Sequence, residues 1–376
     1  MSATIANSVI TVDLRTVKTN IEKIRQYIGK DVELMVTIKS NGYGHGLIEP
    51  ARYIRENCGV DKFATSMVCE ALDLRDAGID GYLMVLGGIP YSAVPAVVEQ
   101  DLVVPCYDAE FMRLLNEEAA RKGKKVKVHI KLDTGLRRLG VRVGDELSRL
   151  VDSTQPLGNV DIEGIFTHLA CPRTEDNSFT NKQLDEFDVG VAQARAKGLG
   201  LRYVHVANSD AVARCPRSYY NLVRPAALWL GYDETGKVGV KPCIQWKTFV
   251  SNVLWAEAGE SISYFGKTVM KKRTRVAVLG FGGGDGYVRN LISPDPLASG
   301  MVIIRGKRVP LLAMNMDQAY ADVTDVEDVK INDEVILLGG VGDQEITMDT
   351  LGRIAGTSTG HIQCSLGSRP FREYVR

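Results

Sequence analysis

The chain has 376 residues, 45% hydrophobic and 24% charged, too long for one ordinary core and typical of a soluble globular protein, so two domains are expected. Lys+Arg and Asp+Glu are both 46, giving a formal net charge of zero, which argues against a broad nucleic-acid footprint. No apolar run approaches the roughly 20 residues of a membrane span, so no membrane partner is expected.

Met1 to Asn7 lack the basic and apolar regions of a signal peptide. The seven cysteines are scattered without a CxxC pair, and the five histidines show no HExxH-type spacing. A cytoplasmic protein with reduced thiols and no metal site is therefore expected.

In chain order, Val9 to Leu14 alternates like a short strand, and Val17, Ile21, Ile24 and Ile28 mark a helical stripe. Residues 1–12 are expected to pack with a later β domain. Strand-like runs then fall near 33–39, 62–67, 82–87, 102–106, 125–132, 162–168, 203–207 and 221–225. Helical stretches lie between them at Ile48–Glu56, Cys69–Ala77, Tyr91–Gln100, Ala109–Arg121, Asp145–Ser153 and Asn181–Lys197. Eight strands alternating with helices over about 210 residues fit a closed (β/α)8 TIM barrel, placed at 13–240. An open doubly wound sheet would carry a GxGxxG turn after its first strand, and none is present. Near Pro242 the periodic helices stop and short β-rich runs begin: Ile244–Trp255, Glu260–Phe265, Arg273–Leu279, Met301–Leu311, Ala319–Val323 and Asp333–Leu338. A mostly β domain is expected over 241–376.

The polar residues cluster where a barrel collects its chemistry, at the strand ends: Lys39, Lys131 with Asp133, His168, Asn208 with Ser209, and Arg224. Leu34 to Ile38 is almost wholly apolar and stops at Lys39. A lysine at the tip of a buried strand is costly unless neutralised, paired or covalently used. The glycines at 42, 44 and 46 allow close backbone approach to a ligand. That pattern suits a Schiff base with pyridoxal phosphate. It equally suits a lysine that merely snorkels from a strand end beside a turn.

Val36-Thr37-Ile38-Lys39-Ser40-Asn41-Gly42-Tyr43-Gly44-His45-Gly46 resembles the cofactor-lysine signature of alanine racemases, with Ser40 and Gly42 where alanine is usual. The likeness returns at further stations along nearly the whole chain. Lys131-Leu132-Asp133-Thr134-Gly135-Leu136-Arg137-Arg138-Leu139-Gly140 resembles the family's Lys-x-Asp-Thr-Gly-x-x-Arg-x-Gly segment. By that resemblance Arg138 neighbours the catalytic phenol on the substrate side, and Lys131 stands where the family often carries a carbamylated lysine. His168 matches a histidine that packs by the cofactor ring and bonds toward Arg224. His205-Val206-Ala207-Asn208-Ser209 resembles His-x-x-Asn-Ser, which places Asn208 and Ser209 at the cofactor; Asp210 follows where a small apolar residue is usual. Arg224-Pro225-Ala226 resembles Arg-Pro-Gly, so Arg224 is expected at the pyridine nitrogen and the backbone at Ala226 and Ala227 near phosphate, beside Tyr43. An arginine there donates a hydrogen bond without surrendering its proton, making the ring a restrained electron sink.

Ser263-Tyr264-Phe265-Gly266 resembles the segment that carries the second catalytic residue, Tyr264, and Asn315-Met316-Asp317-Gln318 resembles the one whose Met316 amide meets the substrate carboxylate. In the family both reach the other subunit's lysine. The resemblance therefore implies a homodimer with shared sites and a two-base racemase, Lys39 on one face of the α-carbon and Tyr264 on the other. Alanine is the implied small-molecule substrate. Phe281 (or Gly283) and Gly360 stand where tyrosines are usual, which leaves serine or a larger amino acid open. Two other readings stay open here. One is a pyridoxal-phosphate decarboxylase of the same architecture, against which Arg224 speaks; the other is a non-catalytic cofactor-binding protein, against which the β domain speaks.

Overall fold

The computed structural model describes residues 5–293, 295, 298–341 and 344–376; residues 1–4 of the expected N-terminal segment, and 294, 296, 297, 342 and 343 of the expected β domain, lie outside the described residues. It divides into two compact units. One comprises Thr16–Gly42 and Leu47–Pro242; the other comprises the segment ending at Arg15, Tyr43–Gly46 and Cys243–Arg376.

The first unit is a closed barrel of parallel strands. Its first strand is the pair of short ladders Glu33–Leu34 and Val36–Thr37; Lys62–Thr65, Tyr82–Val85, Val104–Cys106, Val126–Lys131, Val160–Phe166, Tyr203–His205 and Leu222–Val223 follow. Each pairs in parallel with the next. Across the third and fourth strands the link is a Met84–Val103 bridge, with Val85 N–H donating to Val103 O at 2.9 Å. The ring shuts where Leu222 and Val223 pair with Glu33 and Leu34, and Thr37 N–H donates to Pro225 O at 3.0 Å. Met35, Ala64, Met84, Val103, Phe166, Tyr203 and Leu222 meet as a buried interior cluster. A barrel of this size is filled by such side chains rather than hollow.

The helices alternate with the strands as the periodicity predicts. Ile48–Cys58, Val68–Asp76, Val94–Glu99, Ala109–Lys122, Asp145–Thr154 and Ser178–Ala196 are helical. The last begins three residues before the expected Asn181, because Asp176 Oδ1 accepts the Ser178 N–H at 2.8 Å and Thr180 is buried. After the eighth strand come turns rather than a long helix. Helix Leu14–Ile28 covers that side: the Asn20 carboxamide donates to Trp229 O and Lys241 O and accepts from Lys241 N–H.

The second unit is built on a nine-stranded sheet. Val9–Asp13 lies inside it, antiparallel to Ile244–Ala256 and parallel to Phe371–Val375. The long Ile244–Ala256 strand shifts register between Val250 and Asn252 and so pairs with both Glu334–Val341 and Thr274–Leu279. The expected single run Met301–Leu311 is a hairpin, Met301–Ile304 and Lys307–Met314, turned at Arg305 and Gly306 with φ of 50° and 74°. The expectation that helices stop here is corrected by two short ones, Met348–Ala355 and Thr359–Ser365. Met348, Leu351, Ala355 and Ile362 are their buried positions, too few turns to stand out as a periodic stripe.

Tyr43–Gly46 groups with this unit, and that corrects the ligand-approach reading of two glycines. A Cβ on Gly44 would sit 2.2 Å from Gln363 O, and one on Gly46 1.9 Å from Tyr374 Oη. Both have positive φ. These glycines admit neighbouring protein, not a ligand. Among the described residues no helix is long and apolar enough to cross a membrane.

Candidate active site

Lys39 follows the first barrel strand and opens a turn of rare conformation. Ser40, Asn41 and Gly42 have φ/ψ of 56/50°, 52/48° and 58/36°, and Tyr43 has φ 52°. Left-handed backbone costs an L-residue about 1–2 kcal/mol, least for Asn and nothing for Gly. Local bonds over-determine the turn. Gly42 N–H donates to Ile38 O at 3.0 Å. Trp229 Nε1 donates to Thr37 O at 2.9 Å, and Thr37 Oγ1 to Arg224 O at 3.3 Å. Glu70, in the first turn of helix Val68–Asp76, accepts the Ser40 N–H on Oε1 and the N–H groups of Ser66 (3.0 Å) and Met67 (3.2 Å) on Oε2. One carboxylate thus joins the lysine turn to the loop after the second strand. Nothing in the motif Lys39–Gly46 signalled Glu70. A Glu three residues past a helix start was the available cue.

Positive charge gathers at the same barrel end. Lys131 is 4% exposed, its Nζ 4.2 Å over the Phe166 ring. Burial, then Arg224 and Arg138, pull its amine well below the ordinary pKa against the opposing pull of Asp133. His168 is half-buried; burial, Arg224, Lys131, Arg138 and Lys39, in that order, hold its imidazole well below the usual range and therefore neutral. Buried Gln183 fixes its loop, accepting from Ala170 N–H at 2.9 Å and donating to His168 O. Asp133 feels burial pushing its pKa up, but the N–H groups of Arg137 and Gly135 and the Arg137 guanidinium win and hold it low. Arg138 is left exposed beside them.

Arg224 is 4% exposed, and burial alone pulls its pKa to about 9, still ionised at neutral pH. Its Nη2 donates to Thr167 O (3.0 Å) and Val206 O (3.1 Å), and its Nη1 donates to His205 Nδ1. The expected bond to His168 is thereby corrected: His205 at the end of the seventh strand, not His168, receives Arg224. Among the described residues the Arg224 Nε–H has no acceptor within the chain. Behind His205, its Nε2 lies 2.7 Å from His129 Nδ1, His129 Nε2 lies 2.7 Å from Tyr82 Oη, and Tyr82 donates to Glu163 Oε1 at 2.5 Å. The available signal was a polar residue at a buried position in a strand, His129 between Val128 and Ile130 for example, which must find a partner when buried.

Ser209 Oγ accepts the Ala226 N–H at 2.8 Å and the Leu228 N–H at 3.4 Å, joining the loops after strands seven and eight. Asn208 caps the short helix Ser209–Arg214 through the Ala211 N–H at 3.0 Å. Ala226 and Ala227 are half-buried. Asp210, out of pattern in the sequence, pairs with Arg173 Nε at 2.9 Å, so its charge is met away from the Ser209 hydroxyl.

In the other unit, Tyr264 and Met316 sit on exposed loops, 70% and 65% accessible, with Phe265 at 88%. Ser263 Oγ donates to Asn315 Oδ1 at 2.6 Å, which holds the two loops together. Tyr43 is half-buried at the end of the left-handed turn. Phe281 is fully buried against the Trp246 and Tyr287 rings, at 6.2 and 5.0 Å; its missing hydroxyl therefore lies in the core and opens no rim. Gly360 is different: a Cβ there would meet only Ser358 Oγ, at 3.9 Å.

The barrel end fits an anionic, ring-bearing cofactor. Lys39, Lys131, Arg138 and Arg224 all bear on His168, the Arg224 Nε–H lacks an acceptor among described residues, and the Ser209 hydroxyl lies beside free-standing loop backbone. Models of the alanine racemase N-terminal and C-terminal domains match residues 12–233 and 243–374. An alanine racemase of Symbiobacterium thermophilum is 35% identical over 368 residues, 96% of each chain. Alanine racemase 2 of Caldanaerobacter subterraneus is 32% identical over 371 residues, 97% of this chain and 94% of that one. Among solved structures, the alanine racemase of D-cycloserine-producing Streptomyces lavendulae superposes with a TM-score of 0.91 at 28% identity, covering 99% of this chain and 97% of that one. The Bacillus anthracis alanine racemase with bound L-Ala-P gives 0.91 at 27% identity, covering 99% and 95%. With both domain models matched over nearly the full length, this chain belongs to the alanine racemase family.

Proposed function

We propose that this protein is a pyridoxal-phosphate-dependent racemase that interconverts L- and D-alanine. The observation that carries the reading is the convergence of the Lys39 turn and the Arg224 guanidinium on one cationic barrel end. When bound, pyridoxal phosphate supplies the electron sink that makes an amino-acid α-proton removable. Lys39 Nζ would hold it covalently, and the same amine would take or return a proton on one face of the substrate α-carbon. Arg224, whose Nε–H remains available, would donate to the ring nitrogen without surrendering its own proton, which would limit how far charge is drawn into the ring. Ser209, Asn208, Tyr43 and the backbone of Ala226 and Ala227 receive the phosphate, and His168, held neutral, lies by the ring without adding charge.

The opposite face needs a second acid–base group. Tyr264 is that group, supplied from the partner subunit of a homodimer, with the Met316 N–H and Arg138 receiving the substrate carboxylate. The exposure of Tyr264, Phe265 and Met316 on adjoining loops supports this, since three large apolar residues rarely stay open to water together. A phenol with an ordinary pKa near 10 must be lowered to serve, and Arg138 is the cation for it. Lys131 is a buried amine beside two guanidiniums, its pKa held well below the ordinary value chiefly by burial. Its lone pair attacks carbon dioxide, an N–C bond forms, one N–H proton leaves, and the resulting carbamate anion is stabilised by Arg138. The open space at Gly360 extends the substrate range toward serine. The protein works in the cytoplasm.

The test is a panel of L-amino acids incubated in deuterium oxide with the cofactor-loaded protein, read for chirality and α-deuteration. Fast inversion and deuteration of alanine, lost in Lys39→Ala, is expected. Decarboxylated product, or full inversion by Lys39→Ala without added amine, would refute the reading.

A further inference from the structure

Five side chains run in series through the barrel interior: Arg224, His205, His129, Tyr82 and Glu163. His129 and His205 are fully buried, and Glu163 is 7% exposed. Their chemistry permits one polarity. A guanidinium only donates, so His205 Nδ1 accepts from Arg224 Nη1 and the His205 proton must reside on Nε2. That proton faces His129 Nδ1 at 2.7 Å, so His129 in turn carries its proton on Nε2 and gives it to Tyr82 Oη. Tyr82 has one proton and gives it to Glu163 Oε1. Burial dominates the pKa of both imidazoles and lowers it, keeping each neutral. Burial raises the Glu163 carboxyl, but His129 and Tyr82 outweigh it and leave it ionised; burial and that same bond hold the Tyr82 proton in place. Around the far end, Lys127 Nζ lies 3.7 Å from Glu163 Oε2 and 5.8 Å over the Tyr82 ring, Tyr203 packs edge-on to Tyr82, Arg202 covers the Tyr203 ring, and the Glu33–Lys62 pair bears on Tyr203.

We propose that this series is a one-directional relay through which Glu163, deep among strands on the far side of the barrel, sets how strongly Arg224 donates at the cofactor end. Glu163 is then a positioning residue: it touches neither substrate nor cofactor. Each neutral imidazole is polarised between a donor behind and an acceptor ahead, and such bonds strengthen one another in a low-dielectric interior. Removing the terminal charge weakens the pull on every proton in the series and leaves the Arg224 cation without its counter-charge. The chromophore at Lys39 then meets a more positive surrounding and loses its proton more readily. The consequence for the cofactor rests on Arg224 facing the ring nitrogen, as proposed above; the proton placement on the histidines does not.

Two measurements separate those parts. Nitrogen-15 histidine spectra of the protein, with and without cofactor, read the tautomers directly. His129 and His205 are expected neutral, with the proton on Nε2, from pH 6 to 9. A proton on Nδ1 of either ring, or a doubly protonated ring at neutral pH, would overturn the relay. Glu163→Gln keeps an acceptor oxygen for Tyr82 while removing the charge. In the cofactor-loaded variant the pH midpoint of the visible absorbance is expected to fall by about half a unit, the scale of one charge lost several bonds away at an effective dielectric near 20. Glu163→Asp should restore most of it. A variant with an unmoved midpoint and wild-type histidine signals, altered only in melting temperature, would make Glu163 a structural residue and overturn the proposal. Should Glu163→Gln fail to fold, the wild-type tautomers alone decide. Failure to form any chromophore at Lys39 would instead refute the functional reading, and the tautomer result would stand apart from it.

Discussion

Replacing Glu70 by alanine removes the only carboxylate among the described residues that reaches the N–H of Ser40, the residue after the cofactor lysine. Its three accepted bonds are unequal in consequence. Those from Ser66 and Met67 cap its own helix and leave the lysine turn untouched. The bond from Ser40 spans two loops and holds a turn whose left-handed residues Ser40, Asn41 and Tyr43 each carry a Cβ penalty of about 1–2 kcal/mol. The turn therefore stores roughly 3–6 kcal/mol, against which a charge-assisted bond supplies about 1.5–3 kcal/mol. Losing that bond should favour local opening of residues 39–43 by about 10- to 100-fold, since 1.4 kcal/mol is a factor of ten. Amide hydrogen exchange reads this directly: Ser40 to Gly42 should exchange faster by that factor, while Val128 to Ile130 stay at wild-type rates. Cofactor affinity should fall far less than exchange rises, because it follows the fraction of turns that are closed, which drops appreciably only when opening becomes common. Glu70→Gln, which keeps an oxygen but not the charge, should lie between. Unchanged exchange at Ser40 to Gly42 in Glu70→Ala would refute the reasoning and reduce Glu70 to a helix cap.

Tyr264→Phe should lower kcat by about 10²- to 10⁴-fold, the range for losing a positioned acid–base group. Because Tyr264 is largely exposed, stability should move by under about 0.5 kcal/mol. α-Deuteration should persist for one enantiomer and collapse for the other; equal loss for both would argue against a two-base arrangement. Gly360→Tyr has room for its Cβ and replaces a helical glycine, so stability should hold or rise by up to about 1 kcal/mol. Its alanine-to-serine preference in kcat/KM should increase at least about tenfold; an unchanged ratio would separate Gly360 from substrate choice. Acid should destabilise the barrel through its buried imidazoles. The folded pKa values of His129 and His205 are lowered. Below the unfolded value, near 6.5, the unfolded chain takes up protons that the folded one refuses. Stability is retained above that pH and lost as pH falls through it, by about 1.4 kcal/mol per histidine between pH 7.5 and 5.5. Denaturant midpoints of the cofactor-free protein at those two pH values test this, and coincident midpoints would contradict it.

The barrel was legible because its signal is local. Strand runs such as Val126–Lys131 are short, with β-branched apolar residues at alternate positions, and each helix repeats its apolar positions at a spacing that needs no knowledge of the partner. Lys39, Arg224 and Ser209 were legible for a related reason: each stands at or just past the end of such a run, and the motif around each resembles a family segment, which favours a shared site over a snorkelling lysine or an ordinary helix cap. What stayed hidden depends on distance across the fold. Tyr82, His129, Glu163 and His205 come from four strands far apart in sequence, and no spacing rule connects them. Their only trace is that each interrupts an apolar strand, which says a partner exists without saying which. The glycines at 44 and 46 misled in the opposite sense. Their freedom is required, but by Gln363 and Tyr374, more than three hundred residues away in the chain.

The same contrast explains why His205, and not His168, receives Arg224. Both fall at the expected end of a barrel strand, so the sequence offers no means of ranking them. The difference is inclination: His205 is the last residue of its strand and remains buried, facing Phe166 in a stacked pair at 4.9 Å, whereas His168 lies two residues beyond its strand and is half-exposed. A buried imidazole must satisfy both nitrogens within the protein, and His205 does so with Arg224 on one side and His129 on the other. That requirement draws it into the barrel interior and away from ligand contact. His168 has no such obligation; burial first, and then the basic groups around it, hold its imidazole neutral. Division of labour between the two histidines thus follows from one residue's position relative to a strand end, a quantity that boundary uncertainty of two residues is enough to erase.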